Sequence, residues 1–68
     1  MIRTDLKVLR VKNGLTQYLM ATKLGVSVAS YSLIERGQRN GNRDFWLKLQ
    51  KEFNLTGEEV WKLQNPQI

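Results

Sequence analysis

Three residues, Gly25, Val26 and Ser27, separate two stretches that each read as a helix of about eight residues. So short a link leaves few arrangements. The second helix must turn sharply away from the first, and the chain must reverse at once. Gly25 stands at the reversal, where glycine takes a positive φ without strain. Ala21 is small where the two helices would cross, Val26 can fill the gap under the turn, and Ile34 can pack the later helix back onto the earlier ones. Agreement among such choices says more than any one residue.

The remaining punctuation divides the chain into five short helices, at about 4–13, 17–24, 28–36, 43–53 and 57–64. Thr4 is expected to cap the first, whose Ile2, Leu6 and Leu9 fall at i, i+4 and i+7. Asn13-Gly14 stops it. Thr16 caps the second and Ser27 the third, whose inward stripe is Tyr31, Ile34 and Glu35. Gln38 to Arg43 form a polar loop. Trp46, Leu49 and Phe53 mark the fourth helix. Thr56 and Glu59 form a capping box for the fifth, with Leu55 against Val60 as its staple, and Pro66 closes the ordered part. No segment alternates as a strand does, so the expected class is all-α, one domain over residues 1–68. A chain this short buries only about 60% of its unfolded surface, which demands an economical fold or a partner. The expected core is Leu6, Leu9, Leu15, Met20, Ala21, Leu24, Val26, Tyr31, Ile34, Trp46, Leu49, Phe53 and Leu55.

Composition narrows the function. The chain has neither cysteine nor histidine, which removes disulfides, thiolate metal sites and the usual near-neutral acid–base. No serine stands beside a plausible base, and no phosphate loop or apolar carboxylate pair occurs, so an enzyme is not expected. No cofactor, metal or small-molecule ligand is expected either. Residues 1–43 carry eight basic side chains against two acidic, and residues 44–68 three against four. Positive charge confined to one part of a small domain suits a polyanionic partner, although a merely basic surface would look similar. No run approaches the roughly 20 apolar residues of a membrane span, and no targeting segment is visible. A cytoplasmic setting is compatible with this composition.

Two helices joined by so short a turn make a helix-turn-helix. Leu15-Thr16-Gln17, Ala21, Lys23-Leu24-Gly25-Val26-Ser27, Ser32, Ile34-Glu35-Arg36-Gly37 and Arg39-Asn40 resemble the Cro and phage-repressor (Xre-type) helix-turn-helix family. Leu6 and Leu9-Arg10 before this stretch, and Leu49 to Thr56 after it, continue the resemblance over residues 4–63. It implies a compact, lambda-repressor-like five-helix DNA-binding domain that acts as a homodimer on a palindromic operator. Three positions depart from the pattern. Tyr31 stands where Ile or Val is usual, Gly41 where Pro is common, and Tyr18-Leu19 where a charged pair is typical.

The resemblance places the third helix in the major groove, which makes Val28, Ala29, Ser30, Ser32 and Leu33 the base-reading positions. Helical spacing puts Ala29, Leu33 and Arg36 on the stripe opposite Tyr31 and Ile34. Single exposed apolar residues are common. In a groove they would meet thymine methyl groups, and no Gln or Asn is present in this helix to read adenine. A T·A-rich site is therefore expected. Phosphates would be held by Gln17 and Ser27 at helix N-termini, by Arg10, and by Gln38, Arg39, Asn40, Asn42 and Arg43 of the loop. Arg10 is expected also to pair with Glu35, as its counterpart does in the family. The last helix, where the charge turns slightly negative, offers Val60, Trp61 and Leu63 as dimer contacts.

The expected function is a sequence-specific transcription regulator, a repressor resembling Cro from a phage or prophage, bound to double-stranded operator DNA. No separate sensing domain is expected within sixty-eight residues. The alternative is a protein-interaction module, antitoxin-like or an anti-regulator, that keeps the fold; outward apolar residues such as Leu19 are its support.

Overall fold

Hydrogen-bonding side chains mark where four of the helices begin. The hydroxyls of Thr16, Ser27 and Thr56 accept the backbone amides of Leu19, Ser30 and Glu59, each at 3.1 Å. The amide oxygen of Asn42 accepts that of Phe45 at 2.9 Å. Each such cap contributes about 1 kcal/mol. Glu59 reaches back to the Thr56 amide at 2.8 Å, which completes the capping box.

The computed structural model describes residues 2–65, so the expectation for Pro66 lies outside the described residues. Five helices form among them: α1 (Thr4–Lys12), α2 (Gln17–Leu24), α3 (Val28–Glu35), α4 (Arg43–Phe53) and α5 (Gly57–Gln64). No strand forms among the described residues. None of the helices is long and apolar enough to cross a membrane. The first helix departs from expectation at its start. Arg3 occupies the N-cap position without a side-chain bond there, and Thr4 already lies inside the helix.

α2 packs on α3, α4 lies against both α2 and α5, and α1 touches α3. All five contribute to one core, made of Leu6, Met20, Ala21, Leu24, Tyr31, Ile34, Phe45, Trp46, Leu49 and Val60. Leu9, Leu15, Val26, Phe53 and Leu55 pack against it half-buried. Two residues of this core were not on the expected list. Phe45 is buried at the first turn of α4, its ring centroid 6.2 Å from that of Tyr31 on α3, so the apolar face of α4 is wider than one i, i+3, i+7 stripe. Its ring lies edge-on to Trp46, with centroids 4.9 Å apart. Val60, expected at an interface, is instead packed inside the monomer. Each fully buried large side chain contributes about 1.5–3 kcal/mol.

Two glycines are required by their geometry. Gly25 has φ 69°, and the Val26 amide behind it closes onto the Ala21 carbonyl at 3.0 Å. Gly41 has φ 75°, and a Cβ there would meet Trp46 Nε1 at 3.2 Å and Ile34 and Phe45 at 3.3 Å. Proline, locked near φ −65°, cannot adopt this turn, which accounts for the departure at position 41.

Candidate nucleic-acid interface

The third helix is fastened from below by its own inward residues. Tyr31 has no exposed surface, and its hydroxyl donates to Glu35 Oε2 at 2.6 Å. Glu35 is 4% exposed and is the centre of a network. Arg10 donates to it through Nε at 2.9 Å and Nη2 at 3.3 Å, and Gln17 Nε2 donates at 3.2 Å. Arg10 Nη1 reaches the Leu15 carbonyl at 2.8 Å. Burial by itself would raise the Glu35 carboxyl, but hydrogen bonds from Arg10, Tyr31 and Gln17 together hold it below the usual carboxylate range. Burial and the bond to Glu35 push the Tyr31 phenol well up, so it stays a donor. The network ties α1 and the start of α2 to the end of α3.

With that side held, the opposite side of α3 faces solvent. Val28 is 44% exposed, and Ala29 and Arg36 are exposed. Ser30 and Ser32 lie on the flanks, half-buried. Leu33, expected fully outward, is half-buried as well, because the loop after α3 folds beside it. The amides of Gln38 and Arg39 both donate to the Leu33 carbonyl, at 2.9 and 3.3 Å.

The flanks carry different groups. Gln17 meets α3 at Glu35, and the loop meets it at Ser30, where Arg39 Nη1 donates to Ser30 Oγ at 2.9 Å. Those two positions are about 140° apart around a helix, and the outward stripe lies in the wider arc between them. Polar side chains therefore stand on both sides of an exposed helix face, with the N-terminus of α2 on the Gln17 side. Gln17 spends one amide hydrogen on Glu35 and keeps the other for an outside acceptor. The hydroxyl hydrogen of Ser27 is similarly unspent by its cap.

Several expected phosphate ligands have structural duties. Arg10 directs one bond from each of its three guanidinium nitrogens into the protein, which holds helices together, and its Nη1 and Nη2 each retain a second hydrogen. Asn42 caps α4 through its oxygen and retains its NH2 group. Asn40 accepts Arg3 with its side chain and Trp46 Nε1 with its carbonyl. Gln38, Arg39 and Arg43 are exposed. Trp61 is 56% exposed and Leu63 half-buried, on α5 away from this loop in sequence.

Arg3 was not singled out by the sequence. It is 4% exposed and donates to the carbonyls of Ile34 at 2.6 Å, Arg39 at 2.9 Å and Gln64 at 3.4 Å, and to Asn40 Oδ1 at 3.2 Å. Its guanidinium lies 5.4 Å from the centre of the Trp46 ring. The carbonyls it serves leave no mark in a sequence. Of the eight cations in the basic half, Arg3 and Arg10 thus work inside, and Lys7, Lys12, Lys23, Arg36, Arg39 and Arg43 remain exposed. Of its two acids Glu35 is buried and only Asp5 is exposed, so the outward excess of positive charge survives.

A family model described as helix-turn-helix matches residues 6–60. No curated protein and no solved structure matches the chain.

Proposed function

This chain belongs to the Cro/Xre-type helix-turn-helix family, a family of DNA-binding regulators, and on that premise we propose that it represses transcription by placing α3 in the major groove of a palindromic operator. The observation that carries the reading is the solvent-facing side of α3, with Val28 and Ala29 exposed and the polar side chains of Gln17 and Arg39 on its two flanks. Val28, Ala29, Ser30, Ser32 and the uncovered part of Leu33 read base edges. Gln17, Ser27, Gln38, Asn40, Asn42 and Arg43 hold the backbone on either side of the groove. Two copies bind together, meeting through Trp61 and the exposed part of Leu63, and present their α3 helices to successive major grooves. In this reading it resembles Cro of a phage or prophage and acts in the cytoplasm of its host.

Selection from random duplex DNA tests the reading. The expected consensus is a two-fold symmetric site with thymines at contacted positions, met by the methyl-bearing side chains of α3. With about six phosphates neutralised per dimer, log affinity should fall with log salt at a slope near −5. A slope near zero, or a consensus without thymine at any contacted position, would overturn it.

A further inference from the structure

Arg39 is exposed, yet its side chain is not left free. It turns back along α3 and is held by the Ser30 hydroxyl at 2.9 Å. We propose that Arg39 reads a guanine in the major groove and fixes one position of the binding site, an assignment that rests on the DNA-reading function above.

The backbone of Arg39 is fixed at both ends of the residue. Its amide donates to the Leu33 carbonyl at 3.3 Å, and its carbonyl accepts Arg3 Nη1 at 2.9 Å. Arg3 is buried, so that anchor is part of the protein interior. Ser30 lies one turn before Leu33 on the same side of α3. The Arg39 side chain therefore runs from Leu33 towards the N-terminal half of the helix, the half that enters the groove in this motif.

The guanidinium spends Nη1 on Ser30, while Nε and Nη2 bond nothing among the described residues. Those two nitrogens form an edge with two parallel donors. Guanine is the base whose major-groove edge offers two acceptors, O6 and N7, side by side; adenine pairs an acceptor with a donor there. A phosphate needs no such preparation, because a charge on a mobile stem suffices. Arg43, which makes no side-chain hydrogen bond among the described residues, is of that kind. Holding Arg39 in place beforehand lowers the entropy lost on binding and restricts its approach to one base pair. Ser30 then acts as a positioning residue for Arg39 and keeps its own hydroxyl hydrogen for an acceptor.

Parallel selections from random duplexes, followed by competition titrations, test this with the full chain and with Arg39→Ala, Arg39→Lys and Ser30→Ala. The unmodified protein should prefer guanine at one position of each half-site by about tenfold or more. Arg39→Ala should abolish the preference there and leave the thymine positions alone. Arg39→Lys should also lose most of it, since an ammonium cannot form the two-pronged contact, while keeping the salt slope. Ser30→Ala should weaken the preference at that same base pair. A consensus without such a guanine overturns the assignment alone. So does a guanine that survives Arg39→Ala while all duplexes weaken alike and the slope falls by about one, which is the behaviour of a phosphate contact. An unmodified protein that selects no sequence at all overturns the DNA reading and this assignment together.

Discussion

Replacing Glu35 with alanine should cost about 3–5 kcal/mol, measured as a shift of the urea midpoint at unchanged slope. A chain of 68 residues holds only about 3–10 kcal/mol in total, so the variant should lose a large share of its stability and melt well below its parent. The size follows from what Glu35 accepts. Its two oxygens take hydrogen bonds from Arg10, Tyr31 and Gln17, in a setting where the Arg10 side chain is 12% exposed and that of Glu35 5%. Truncation leaves the Arg10 charge and the Tyr31 hydroxyl without the partner that offsets their burial. The Lys62–Glu58 pair is the internal comparison. It spans 3.5 Å with side chains 61% and 79% exposed, and its loss should be worth at most about 0.5 kcal/mol.

The same network gives a pH dependence. The Glu35 carboxyl sits below its ordinary value in the folded protein, so the unfolded chain binds its proton first as pH falls. The associated stability is complete above the unfolded value of about 4.3 and is lost as pH drops through the lower folded value. Acid unfolding should therefore begin below about pH 4.3.

Arg3→Ala should be the second large effect, about 2–4 kcal/mol, given that bonds from a charged donor are each worth about 1.5–3 kcal/mol and do not add. Burial costs this guanidinium dearly enough to pull its pKa below the usual value, and no carboxylate among the described residues pairs with it. What compensates is carbonyl oxygen: Ile34, Arg39 and Gln64, with the Asn40 side chain and the Trp46 ring beside them. Removing Arg3 takes from the Ile34 carbonyl the shorter of its two bonds, leaving only that from the Gly37 amide at 3.1 Å, and releases the loop that flanks α3. The variant should melt earlier and, where still folded, bind all duplexes more weakly. Arg3→Lys should recover little, since one ammonium cannot reach four acceptors spread over three segments. Thermal melting beside a DNA titration separates the two effects.

These two residues show what a sequence carries and what it does not. Glu35 was visible because Tyr31, Ile34 and Glu35 share one helical stripe, and a carboxylate on an inward stripe needs a partner. Arg3 was not, because its acceptors are backbone carbonyls and carry no residue identity. The caps at Thr16, Ser27 and Thr56 and the reversal at Gly25 were legible because local chemistry decides them. Thr4 has the residue type of a cap, but Arg3, drawn inward by long-range bonds, takes the N-cap position and Thr4 becomes the first residue of the helix. The burial of Phe45 and Val60 is not legible, for a shared reason: Phe45 packs towards Tyr31 of α3 and α5 packs on α4, and neither face can be delimited before the partner helix is placed. At the interface, the outward stripe of α3 follows from spacing alone, whereas the half-burial of Leu33 and the return of Arg39 to Ser30 depend on a loop path that spacing does not describe.

Amide chemical shifts of the 15N-labelled protein, followed while a selected duplex is added, address the central geometry most directly. The largest changes should fall on Val28, Ala29, Ser30, Ser32 and Leu33, on Gln17 and on residues 38–43, with Val8 and Val11, both exposed on α1, unmoved. Changes concentrated on α1 or α5, with α3 silent at saturating duplex, would contradict the account.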